Sequence, residues 1–184
     1  MRTFIAVEIS SEVKAEISSL TKDLIEFCQN IKWVKPENIH ITLKFLGSIP
    51  EKKVKDIETA LDQAVHGVKA FDVELSKIGV FPEKGIPKVI WIGVDKGKEQ
   101  LEALAGKIEE AMFGQGLEKE TRAFRAHLTL GSIKSPKNIK DIKETVNTIE
   151  VPSIKGHISK VIFFKSDLTN ESAIHTPIST INLE

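Results

Sequence analysis

His40-Ile41-Thr42-Leu43 returns later in the chain as His127-Leu128-Thr129-Leu130. Each copy sits in a run that reads as a β-strand. Side chains alternate along a strand, so His40 and Thr42 share one face while Ile41 and Leu43 share the other. The same holds for His127 and Thr129 against Leu128 and Leu130. Two such strands facing each other would set two imidazoles and two hydroxyls around one small cleft. That set suits a phosphate ester: two groups for proton transfer and two neutral donors for phosphoryl oxygens. Alternation carries the cleft face further in both directions, placing Arg125 beside His127 and Lys44 beside Thr42. Both cations are then expected to meet substrate phosphates, as is Lys134, which continues the second motif strand.

The duplication extends beyond the motif. In the first half, strand Phe4–Ile9 leads into a helix from Ser11 to Cys28, capped by Ser10, with Val13, Ile17, Leu20, Leu24 and Phe27 at helical spacing. The motif strand, a helix opened by Pro50 (Val54, Ile57, Leu61, Val65 inward) and the strand FDVELSKIGVF follow. In the second half, strand Val89–Val94 leads into a helix carrying Leu101, Leu104, Ile108 and Met112, ending near Gly114-Gln115-Gly116. The second motif strand comes next. Then follow a helix capped by Ser135 and opened by Pro136 (Ile139, Ile142, Val146, Ile149 inward) and the strand ISKVIFFKS. Residues 1–81 and 88–166 thus form an internal repeat within one domain spanning 1–184, joined by the Pro/Gly-rich Phe81–Pro87. A strand around Ser179–Leu183 completes a sheet. The repeat predicts an α+β, bilobal fold: two similar lobes about a pseudo-twofold axis, helices on the outer faces, and a cleft between them.

Composition narrows the function. Lys+Arg and Asp+Glu are both 26, so net charge alone gives no general affinity for nucleic acid, and any such contact is local. The single cysteine, Cys28, falls on the apolar side of its helix and is expected in the core. It excludes a disulfide framework and suits a reducing cytoplasm. No run approaches a membrane helix in length, and the N-terminus reads as a strand and charged helix rather than a secretory leader. Two histidines and two threonines make a poor metal set, since no Asp, Glu or Cys stands in the motif. No nucleophile elbow, P-loop or dinucleotide fingerprint is present. His66 closes a helix, and His157 and His175 read as structural or exposed. Phe81 and Trp91, flanking the connector, are the better candidates for base stacking, while Trp33 and Phe124 read as core.

HITLKFLG, FRAHLTL, the opening FIAVEI, the Phe81–Val94 stretch and FFKSDL resemble the RNA 2′,3′-cyclic phosphodiesterases, also called 2′-5′ RNA ligases, of the two-histidine phosphoesterase superfamily. The resemblance spans nearly the whole chain. It implies an antiparallel sheet in each lobe and metal-free, cofactor-free hydrolysis of a 2′,3′-cyclic phosphate to a 2′-phosphate. It also implies 2′-5′ joining of RNA ends in the reverse direction. His127 is then the general base and His40 the general acid, with Thr42 and Thr129 on the phosphoryl oxygens. RNA ends with a cyclic phosphate, tRNA fragments among them, are the implied partners of a monomeric, non-membrane protein. Many relatives carry a basic residue shortly after the second motif. Here Gly131-Ser132 stand there, which leaves Lys134 or Arg125 as the substitute. Two rivals remain: a binding module that holds such ends without turnover, and an enzyme for small cyclic nucleotides.

Overall fold

The computed structural model describes residues 1–27, 30–135, 139–170 and 172–184. The elements run β1 (Arg2–Val7), α1 (Ser11–Phe27), β2 (Ile31–Trp33), β3 (Ile41–Ser48), α2 (Val54–Val65), β4 (Phe71–Phe81) and β5 (Val89–Val94). They continue with α3 (Lys98–Gly114), β6 (His127–Ile133), α4 (Ile139–Thr148), β7 (Ile154–Ile158), β8 (Lys160–Leu168) and β9 (Ala173–Asn182). The helices form where the apolar spacing predicts them. Val13, Ile17, Leu20 and Leu24 are buried along α1, Leu101, Leu104, Ile108 and Met112 along α3. Each such side chain contributes about 1.5–3 kcal/mol on leaving water. Ser10 caps α1, its Oγ accepting from the Val13 amide at 3.3 Å. The His66 amide closes α2 on the Asp62 carbonyl. Cys28, and the Pro136 and Lys137 of the expected fourth-helix start, lie outside the described residues.

Two antiparallel sheets result, ordered β3-β1-β8-β9 and β2-β6-β5-β4-β7. Aligned on their motif strands, β3-β1-β8-β9 and β6-β5-β4-β7 match position for position. The third strand of each half crosses over: β8 pairs with β1 and β4 pairs with β5. Helices cross too. α1 packs on β7 and α4 against the second sheet, whereas α3 packs on β3 and α2 against the first. Each lobe is therefore woven from both halves of the chain rather than folded from one.

Two strands were not anticipated. β2 has three residues and pairs with the end of β6, Trp33 opposite Gly131, too short for any period to register. β7 stands ahead of the strand ISKVIFFKS read from the sequence and shares only Ile158 with it. The chain leaves one sheet at Ile158 and enters the other at Lys160, and β7 buries only Ile154 and Ile158, too few apolar residues to mark it.

Trp91 on β5 lies flat across Gly79 of its neighbour β4, and its ring stacks on Phe81 at 4.9 Å. A Cβ at Gly79 would fall within that ring's van der Waals envelope. Gly79→Ala is expected to lower unfolding free energy by about 1–3 kcal/mol through overpacking, measured as a shift of the denaturation midpoint. An unchanged midpoint would mean the ring moves aside freely.

Candidate active site

His40 follows a 3-10 turn at Pro36–Asn38 and directly precedes β3, while His127 is the first residue of β6. Both imidazoles turn back on the backbone two residues earlier. The His127 Nδ1 lies 2.6 Å from the Arg125 carbonyl, and His40 bonds the Asn38 backbone. A carbonyl only accepts, so Nδ1 of His127 carries the hydrogen and its Nε2 is left to take a proton. Aromatic rings back both histidines. His40 stacks on Phe4 of β1 at 4.9 Å, and Phe81 meets His127 edge-on at 5.1 Å. Phe81 and Trp91 thus form a platform beneath His127.

The motif strands share one irregularity. In the β1–β3 ladder Ala6 faces Thr42 and Ile5 faces Lys44, so Leu43 is an extra residue. In the β5–β6 ladder Trp91 faces Thr129 and Ile90 faces Gly131, so Leu130 is extra. A β-bulge reverses the alternation beyond it. This corrects the expectation for Lys44. Its side chain is 4% exposed and turns to the helix side, binding Glu109 Oε1 of α3 at 2.7 Å and the Glu118 carbonyl at 3.0 Å. Phe45 takes the cleft face instead, 67% exposed. On the other strand Gly131 turns inward, where a Cβ would crowd Ile31 and Trp33 of β2, and Ser132 takes the cleft face.

His40, Thr42, His127 and Thr129 line one cleft of about 410 Å³. Arg2, Lys32 and Lys35 also line it, no carboxylate does, and among the described residues these three cations make no ion pair. On a chain of zero net charge this is a local concentration of positive potential, suited to an anionic ligand. Burial holds His40 down to about 4, the neighbouring His175 adding to the effect. Burial likewise lowers His127, opposed by the Arg125 carbonyl. Among the described residues no three His, Cys, Asp or Glu come together as a metal-binding group.

Arg125 and Lys134 stand apart from the lining. Arg125 pairs with Glu83 at 2.8 Å and lies over the Phe81 ring, contributing its carbonyl, not its guanidinium, to His127. Lys134 is exposed beyond the end of β6. His157 pairs with Asp72 on the surface. His175 differs from its expectation: it reaches the cleft from β9 with its ring 5.4 Å from that of His40. Arg2, Lys32 and Lys35 also escaped the sequence reading. The alternation of β1 from Phe4 back to Arg2 was a usable signal; for Lys32 and Lys35, beside a strand of three residues, there was none.

A family model described as LigT-like phosphoesterase matches the chain twice, over residues 7–91 and 92–175. An RNA 2′,3′-cyclic phosphodiesterase of Methanocaldococcus jannaschii is 34% identical, covering 97% of this chain and 98% of that protein. One of Methanothermobacter thermautotrophicus is 30% identical, covering 100% and 99%. The fold matches a crystal structure from Thermus thermophilus with TM-score 0.83 at 23% identity, covering 100% of this chain and 98% of that one. It matches Escherichia coli LigT complexed with 3′-AMP with TM-score 0.79 at 19% identity, covering 99% and 97%.

The bulge makes a separable prediction. Lys44→Ala removes the partner of Glu109 and is expected to cost about 1–3 kcal/mol of stability. Binding of inorganic phosphate in the cleft, followed by titration calorimetry, should stay within about twofold of wild type. Loss of phosphate binding without loss of stability would return Lys44 to the cleft.

Proposed function

This chain belongs to the LigT-like phosphoesterases, and we propose that it opens 2′,3′-cyclic phosphates at RNA ends to leave a 2′-phosphate. The observation that carries this reading is the meeting of two His-x-Thr strands, from two matching sheets, in one cation-lined cleft. The Nε2 of His127 takes a proton from water as its oxygen bonds phosphorus. The bond from phosphorus to the 3′ oxygen breaks, and His40 supplies that oxygen's proton. Burial holds His40 down to about 4 in the free protein, so it carries this proton only once the substrate's charge favours its imidazolium form. Thr42 and Thr129 donate to the non-bridging oxygens as charge grows there.

With an RNA 5′-hydroxyl in place of water, the same displacement joins two ends through a 2′-5′ linkage, and the reverse step restores the cyclic ester. Acid and base exchange roles between directions. Neither route calls for a metal in this scheme: the cleft lining offers a divalent ion no carboxylate. No helix of the described residues is long and apolar enough to cross a membrane. A monomer acting on cytoplasmic RNA ends, tRNA fragments included, fits this reading.

The test is turnover of a dinucleotide bearing a 2′,3′-cyclic phosphate, with the product's phosphate position read by phosphorus NMR. His40→Ala and His127→Ala should each reduce turnover by ~10²- to 10⁴-fold. Thr42→Ala and Thr129→Ala remove one donor among several and should cost less. Full activity in either histidine variant would hand the cleft to a binding role.

Acidity gives a second check. In the free protein both imidazoles lose their protons below the ordinary value near 6.5. The profile of kcat/KM reports free groups and should peak below pH 6.5. A bound phosphate favours the imidazolium forms and raises both values, so the peak of kcat should lie at higher pH. Coincident peaks would sink this account of the site.

A further inference from the structure

We propose that His175 is a positioning residue for His40, and that β9 thereby makes the two motif histidines unequal. The inference rests on the proposed phosphodiesterase reading for its consequence, but not for its geometry. β9 reaches His40 by two routes. The first is direct: the His175 ring meets the His40 ring edge-on, centroids 5.4 Å apart and planes at 81°. Both rings share Phe4, which stacks on His40 at 4.9 Å and meets His175 edge-on at 4.9 Å. The second runs through Asn38, whose Nδ2 donates to the Ala173 carbonyl at the start of β9, at 2.8 Å. Asn38 also supplies the backbone contact that holds the His40 ring. The loop before His40 and the face of His40 are therefore both tied to one strand.

Among the described residues no histidine does this for His127, which rests on Phe81 and Trp91. The Nδ1 of His175 is buried with no hydrogen-bond partner among them, so the ring is held by packing against Phe4, Phe164 and His40. Two imidazoles at this separation repel when both are charged, so the pair accepts its protons one at a time. Arg2 of β1 acts on His175 in the same sense, and Lys14 of α1 acts on His40. A phosphate arriving between these groups draws in one proton, and the edge-on ring keeps His40 turned to the cleft to carry it.

The test is a pH titration of the free protein followed by the histidine ring signals in NMR, which needs no substrate. His175→Gln removes the titrating neighbour with polarity kept, and His175→Phe removes it with the ring kept. In the Gln variant the His40 midpoint should rise by ~0.5–2 pH units, the range Coulomb's law gives at this separation, while that of His127 stays put. On the cyclic-phosphate dinucleotide, His175→Gln should lower kcat with KM little changed, and His175→Phe should restore much of the loss. An unmoved His40 midpoint in a folded His175→Gln protein would overturn the proposal. So would equal kcat in both variants and wild type. Failure of the wild-type protein to turn over that substrate would instead count against the phosphodiesterase reading, leaving the titration result to stand alone.

Discussion

The exchange of strands between sheets governs everything else. β8, from the second half of the chain, closes on β1, and β4, from the first, closes on β5. Each motif strand hangs from a central strand that is itself clamped by the other half. The two halves of the chain therefore cannot separate without breaking two ladders of backbone hydrogen bonds, and their loss would leave buried donors unsatisfied. A reaction that needs two groups on opposite sides of one phosphorus requires fixed positions, and each motif strand is held in its sheet by backbone pairing rather than by the cleft's own side chains. Proton transfer is sensitive to small misplacement, so rigidity belongs in the scaffold.

Within that frame the cleft gathers charge of one sign. The whole chain is neutral, and several surface cations elsewhere face carboxylates, as Lys98 faces Glu102 and Lys119 faces Glu110. Arg2, Lys32 and Lys35 have no such partner among the described residues. Burial disfavours imidazolium in the empty site. An anionic ligand reverses that balance, so the protonated state arrives with the substrate. This couples binding to the chemistry: the charge that brings the ligand in also readies the acid.

Much of this was legible in the sequence, and the misses have physical causes. The helices were readable because each presents a 3.6-residue apolar stripe that ends up buried, as Val13, Ile17, Leu20 and Leu24 do. The motif histidines and threonines were readable because repetition marks them and because they precede the bulges. Lys44 was not. Alternation is a rule for regular ladders, and the extra Leu43 shifts Lys44 and Phe45 to the opposite faces. The same slip hides Phe45 and Ser132, whose cleft positions follow only once the register is known. His175 lies in a segment with no repeat partner in the motif, on an edge strand, and its meeting with His40 depends on β9 closing the first sheet. Strand order of that kind is long-range pairing, which local pattern does not carry.

The bulge also accounts for a departure from the family pattern. A basic residue soon after the second motif would have to occupy a position whose fate the bulge decides. Gly131 turns inward against β2, where Ile31 and Trp33 leave no room for a side chain, and Ser132 faces the cleft. Its equivalent in the first sheet, Lys44, has space to reach Glu109 because no extra strand covers that edge: β3 is the outermost strand of its sheet, whereas β6 is covered by β2. One added strand of three residues thus sets what can follow the second motif. It forces glycine at the inward position. It also delivers Lys32 and brings Lys35 just behind it, so the cleft gains on β2 and its exit the positive charge that the second motif strand does not carry.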